Sequence, residues 1–276
     1  MTHGYGPDGL QRAIVLTFDN LGEASSLERG TWNPQTPLGE DPSVTTALPR
    51  LLDALDATSL PATFFVEGVN AELNQEALHE IVNRGHELGA HGWQHEQWSE
   101  LAPVPRHERE LLERATRALA DSGFPVAGFR PPGGAFTPRT LGVLRELGYA
   151  WCSPAAVDPR GAPPFVKEHL AVVPFAWELV DAYHLMERFA ELRVGHGGPA
   201  EPRGAAETGA RLAGALRDGE GVQTMVLHPF LMLDAAWWAQ TQALLSLVGE
   251  LARSGQAWVV GGGAFAGWLQ PESRPQ

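Results

Sequence analysis

The chain reads as an α/β fold with mainly parallel strands, a barrel or a wound sheet, and three features predict this. Short strand-like apolar runs alternate with longer helical patterns along nearly the whole length. Glycines stand where several helical patterns stop, and polar residues able to do chemistry close several strands. Parallel α/β folds gather their reactive groups at such strand ends.

The first strand is AIVLTF, and a long connection containing Pro and Gly, Gly22 to Pro42, separates it from the helical pattern SVTTALPRLLDALDA. ATFFVE, QEALHEIVNRG and ELGAH then read as strand, helix and strand. The charged helix RHERELLERATRALADSG, the short strand AGFR, the helix TPRTLGVLRELG and the strand YAWCS continue the rhythm, and AVVPF, TMVLHPF and AWVVGG supply the later strands. Gly85, Gly123 and Gly148 each follow a helical pattern, where a left-handed cap suits glycine. A second segment outside the rhythm, Val194 to Ala205, is rich in Gly and Pro, and long loops of this kind often form functional rims. The terminal PESRPQ is expected to fray. With 276 residues, 43% of them hydrophobic, and no internal repeat, residues 1–276 read as a single domain.

Lysine and arginine number 20 against 33 acidic residues, a formal charge of −13, and the summed field repels polyanions. Nucleic acid is therefore not an expected partner; a saccharide or small molecule is. The N-terminal MTHGYGPDGLQRAIVLTFD lacks the basic segment and unbroken apolar run of a secretory signal, and no apolar stretch approaches the ~20 residues that span a bilayer. The expectation is a cytoplasmic protein without a membrane span. Cys152 is the one cysteine, and its setting, YAWCSP, reads as buried strand and an inert core residue.

The strongest chemical signal is His91-Gly92-Trp93-Gln94-His95, which follows the strand-like ELGA. Two histidines four apart on one helical turn can reach the same cation, although the spacing also arises by chance. Asp19 closes the first strand, Arg130 closes AGFR and His228 closes TMVLH, so these polar groups share one face of a parallel sheet. An aspartate at Asp19 could equally cap the following turn. Trp237-Trp238 reads as core packing, and His107, His184 and His196 as solvated histidines, with His196 also within reach of a substrate. No G-x-S-x-G elbow and no phosphate-cradling G-x-x-x-x-G-K-[ST] loop is present.

The order of these motifs resembles the polysaccharide deacetylase family, also called the NodB-homology or carbohydrate esterase family 4 group. Thr17-Phe18-Asp19-Asn20 matches its T-F-D-D opening, and His91 and His95 match its pair of histidines, with Gly92 in place of the usual Ser or Thr. Arg130-Pro131-Pro132-Gly133 matches R-x-P-x-G, Trp177 and Asp181 match a later Trp and Asp, and Leu227-His228-Pro229 matches the last motif. The resemblance implies a distorted (β/α) barrel, commonly seven-stranded, and a hydrolase that cleaves an N-acyl C–N bond of an acetylated amino sugar or small-molecule amide.

It further implies a divalent metal, for which zinc suits a mixed nitrogen and oxygen site and cobalt, nickel or manganese would accept the same ligands. By the same resemblance Asn20, His91 and His95 hold the metal, Asp19 is the general base, Arg130 orients it, and His228, oriented by Asp181, protonates the leaving amine. Pro132, Gly133 and Trp177 would contact substrate. Asn20 departs from the pattern, because an amide carries no charge to offer a cation. Asp19, Asn20 or Glu23 could each supply the third ligand. An allantoinase-like hydrolase of ureides or cyclic amides, or a binding module that has lost its metal, are the alternative readings.

Overall fold

The computed structural model describes residues 4–270, so the terminal PESRPQ lies outside the described residues. Nine strands form one sheet among them: β1 Arg12–Asp19, β2 Thr63–Val66, β3 Glu87–Ala90, β4 Gly128–Phe129, β5 Trp151–Cys152, β6 Phe165–Lys167, β7 Leu170–Val172, β8 Gly221–Leu227 and β9 Trp258–Val260. The order is β6-β7-β5-β4-β3-β2-β1-β8, with β9 also on β1. The run from β7 through β5, β4, β3, β2 and β1 to β8 is parallel throughout, seven strands as expected. The ends of this run approach each other: Val180, just beyond β7, forms a parallel bridge to Val226 of β8. Nearby, Thr224 donates a hydrogen bond to the Pro174 carbonyl at 2.9 Å. The closure is thus a single bridge and a side-chain bond instead of a full ladder, which is the distortion of the barrel.

β6 was not anticipated, and it pairs antiparallel with β7. The connecting residues Glu168 and His169 take φ of 51° and 67°, the two left-handed positions of a tight hairpin turn. No Asn-Gly or Asp-Gly marks that turn, so the hairpin had no local signature. The helical pattern beginning at Ser43 also divides, into a π-helical turn, Ser43–Ala47, and an α-helix, Leu48–Thr58. Pro49, which has no N–H to donate, falls in the first turn of that α-helix, where none is needed. Gly85, Gly123 and Gly148 take φ between 80° and 90°, as their positions predict.

Alternation along β1 places the site. Ile14, Leu16 and Phe18 face the large helix-covered core, whereas Ala13 and Val15 face a smaller cluster with Phe65, Trp151 and Phe265. Thr17 and Asp19 continue the second face, at the C-terminal end of the strand. Both are buried, so the chain carries a carboxylate into the interior and must hold it there with partners. Cys152 is also buried, and burial raises its thiol pKa, as fits an inert core residue.

Candidate active site

Arg130 supplies the partner. It ends the short ladder of β4, its side chain is almost fully buried, and its Nη1 donates to Asp19 Oδ1 at 2.6 Å and to Thr17 Oγ1 at 2.7 Å. Nη2 donates to Ser153 Oγ at 2.8 Å. The guanidinium plane lies over Phe65, 4.3 Å from the ring centroid, with Phe175 at 5.1 Å. Burial presses the Asp19 carboxyl above its ordinary pKa, and the adjacent guanidinium opposes that rise. Asp19 is therefore fixed in one orientation by a charge-assisted bond.

The second pair is built the same way. Asp181 is fully buried, with Oδ1 2.6 Å from His228 Nδ1 and Oδ2 accepting the His228 backbone N–H at 2.9 Å. A carboxylate can only accept from an imidazole N–H, so Nδ1 carries the proton and Nε2 is left free. His228 lies at the end of β8, on the same cavity as Asp19.

The histidine loop is not the helical turn its spacing suggested. Residues 91–97 have no helical structure, and both Gly92, at φ 77°, and His95, at φ 73°, are left-handed. Glu96 organises the turn, because its carboxylate accepts the backbone N–H groups of Trp93 and Gln94, each at 2.9 Å. A Cβ at position 92 would come within 2.6 Å of Glu96 Oε2, which explains glycine there instead of Ser or Thr. The turn still brings the two imidazoles together, with ring centroids 5.0 Å apart.

The carboxylate beside them is Glu67, a residue not among the sequence candidates. Ligand atoms of Glu67, His91 and His95 all lie within 4.8 Å of one another. Glu67 follows β2 and is fully buried; its Oε2 accepts from Asn70 Nδ2 at 3.1 Å, whereas Oε1 has no hydrogen-bond partner. Burial raises its pKa well above the ordinary value. His91 Nδ1 lies 2.8 Å from the Arg130 carbonyl and must donate to it, leaving Nε2 available. Burial lowers the His91 pKa to about 3 and that of His95 well below its ordinary value, so both rings are neutral.

Glu23 has other work: it accepts from the Gly39 N–H at 2.5 Å and from Asn74 Nδ2 at 3.0 Å, tying down the long first loop. Asn20 is buried at φ 63°, and its amide makes no hydrogen bond to the described residues.

Several of these groups line a cavity of about 570 Å³, whereas Glu67, Asn20 and Asp181 lie behind its lining. Asp19, His91, His95, Arg130 and His228 form its polar floor. Phe175, Trp177, Val180, Phe189 and Leu192 form an apolar wall, and Arg29, Gln97 and Arg188 complete the lining. Gly133 and Trp177, two of the three residues expected to contact substrate, line this cavity. Pro132 does not line it; its ring is buried behind the histidine loop, against Gly92. No residue from Val194 to Ala205 lines it either, because the wall comes from the preceding turn, Glu187–Phe189, and helix, Ala190–Gly195. His184, expected in solvent, is buried between the Glu178 carbonyl, 3.0 Å from Nε2, and Arg203, 3.1 Å from Nδ1. His196 meets the Tyr183 hydroxyl at 3.2 Å and does not line the cavity. Trp237 is core, and the half-buried Trp238 packs under Arg50.

Comparison with known proteins agrees with this architecture. The family model described as polysaccharide deacetylase matches residues 7–152, more than half of the chain. A chitooligosaccharide deacetylase from Bradyrhizobium sp. is 30% identical over 160 residues, which cover 56% of this chain and 61% of that protein, so the chain spans less than two thirds of its curated relative. The crystal structure of a protein from Mycobacterium smegmatis, assigned as a polysaccharide deacetylase, superposes with a TM-score of 0.78 at 25% identity, covering 98% of this chain and 96% of that one. Puue allantoinase shares the fold, with a TM-score of 0.75 at 17% identity over 100% of this chain and 96% of its own. Among the described residues no helix is long and apolar enough to cross a membrane. By the extent of the family match, the chain belongs to the polysaccharide deacetylase family.

Proposed function

We propose that the protein is a metal-dependent hydrolase of an N-acyl amide bond, a deacetylase of an acetylated amino sugar or related small amide. The observation that carries the reading is that His91 and His95, which converge with Glu67, share one cavity with Asp19, Arg130 and His228, the last two held in oriented pairs with Asp19 and Asp181.

The residues present fit a divalent cation. Glu67 Oε1 is a buried carboxylate oxygen without a partner, and the two imidazoles are held neutral, as ligands must be. One carboxylate and two histidines are a donor set that zinc accepts, and cobalt, nickel or manganese would accept it too. On this reading Glu67 takes the place of the charged ligand that Asn20 cannot supply. Bound by these three residues, a cation would supply Lewis-acid polarisation of the scissile carbonyl.

Asp19 takes the proton of the attacking water, and its bond to Arg130 keeps one carboxylate oxygen occupied and the other directed at the cavity. In its doubly protonated form, stabilised by Asp181, His228 donates the Nε2 proton to the leaving nitrogen as the C–N bond breaks and is left as the neutral Nδ1–H tautomer. Trp177 and the adjoining apolar wall exclude water and seat the acyl or ring portion of the substrate. The test is release of free amine from a panel of N-acetylated amino sugars and simple N-acyl amides by protein loaded with zinc or cobalt. Turnover abolished by chelator and restored by metal is expected; no amine release from any member by fully loaded protein contradicts the proposal.

A further inference from the structure

The cavity holds two positive charges that the catalytic proposal does not use. Arg29 follows the short helix Ala24–Glu28, Arg188 lies in the turn Glu187–Phe189, and both line the cavity from segments far apart in sequence. Neither guanidinium has a hydrogen bond or ion pair with the described residues; Arg188 only leans on the Phe189 ring at 5.0 Å. Arg130, by contrast, is matched by Asp19. The chain as a whole carries −13, so a cavity with two unmatched guanidinium groups runs against its average charge.

Both arginines are presented from anchored backbone. Glu23 ties the loop around Arg29 to Gly39 and Asn74. On the other side, the fully buried Arg193 donates to the carbonyls of Tyr183, Met186, Pro199 and Ala200, pinning the segment that carries Arg188. Both residues are exposed to solvent and line the same cavity. Two cations on one cavity without a counter-charge are a receptor for an anion, and guanidinium forks suit the paired oxygens of carboxylate and phosphate.

Resting on the amide-hydrolase reading above, we infer that the substrate carries an anionic group, a carboxylate or a phosphate, which Arg29 and Arg188 grip in the cavity they line. The scissile amide then lies over the polar floor and the apolar remainder against Trp177 and Phe189. A neutral acetylated sugar would leave both arginines unmatched and bind more weakly.

The test compares three N-acetyl compounds on one sugar ring: N-acetylglucosamine, N-acetylmuramic acid with its carboxylate, and N-acetylglucosamine 6-phosphate. Hydrolysis by metal-loaded wild type, Arg29→Gln, Arg188→Gln and the double variant is followed by amine release. At least one acid should exceed the neutral sugar in kcat/KM by about tenfold or more, and which acid does so separates carboxylate from phosphate. Each substitution should lower that ratio about tenfold, mainly through KM, as expected for loss of one charge-assisted contact. A wild-type ratio of one or less, or a ratio unchanged in the double variant, overturns the inference. If wild type cleaves none of the three, the hydrolase reading fails for these compounds, and calorimetric titration decides the anion site. Binding of an acid in preference to N-acetylglucosamine, lost in the double variant, upholds it; equal binding overturns it.

Discussion

Replacing Arg130 by methionine removes the guanidinium that pairs with the buried Asp19 carboxylate while keeping most of the volume between Phe65 and Phe175. Three short hydrogen bonds go, to Asp19, Thr17 and Ser153, and the methionine recovers some apolar contact with the two rings. The larger effect is the charge left behind. Asp19 is only 5% exposed, and breaking a buried pair from one side costs about 3–5 kcal/mol.

The sign with pH follows from burial. Without Arg130, desolvation loses its main opponent, with only His228 still acting against it, and raises the folded-state pKa of Asp19 further above the unfolded value of about 3.9. The folded state then binds a proton more readily than the unfolded chain, so the variant loses stability as pH rises through that folded pKa and regains it on acidification. Urea unfolding followed by tryptophan fluorescence at pH 7.5 and 5.5 measures both terms. The deficit against wild type should be largest at pH 7.5, and adding Asp19→Asn to Arg130→Met should restore most of it, since a neutral pair leaves no orphaned charge. A deficit below about 1 kcal/mol at pH 7.5, or a double variant no more stable than Arg130→Met, would refute the reasoning.

Asp181→Asn keeps the size of the side chain but cannot both accept from His228 Nδ1 and stabilise a charged ring; kcat should fall by about a hundredfold or more with little change in Tm, measured by steady-state amine release and thermal melts. Gly92→Ala forces a Cβ into the left-handed region and against Glu96, so a loss of about 1–2 kcal/mol is expected by urea unfolding, together with weaker metal binding by competition with a chromogenic chelator. Wild-type stability and affinity in that variant would mean the turn adapts freely.

Much of the fold was legible because strand ends and helix stops have local causes. β1 is a near-continuous apolar run buried on both faces, and β8 shows the same character near its end. The β6–β7 hairpin was not legible, because Glu168 and His169 adopt left-handed conformations that neither residue type advertises. The site was readable where a motif and a strand end coincided, at Asp19, Arg130 and His228. Glu67 was not among the candidates although it closes the strand run ATFFVE, the same kind of position as Asp19. The T-F-D-N match drew attention to Asn20 and its neighbours instead. The strand-end rule applied evenly to every apolar run would have found it. The turn at Gly92 and Glu96 was misread for a different reason: a spacing of four suits a helix, but a glycine at φ 77° and a carboxylate capping two N–H groups bring the histidines together without one. The arginines of the cavity come from distant segments, Arg29 and Arg188, and only the closed barrel brings them together.

The central claim is that Glu67, with His91 and His95, is the charged ligand of a divalent metal. Metal content by atomic emission, on untagged protein loaded with zinc and desalted, tests it most directly for wild type, Glu67→Gln and Asn20→Ala. The account predicts one equivalent in wild type and in Asn20→Ala and a loss of bound zinc in a folded Glu67→Gln, with folding checked by circular dichroism. Full zinc retention in Glu67→Gln, or loss in Asn20→Ala alone, would contradict it.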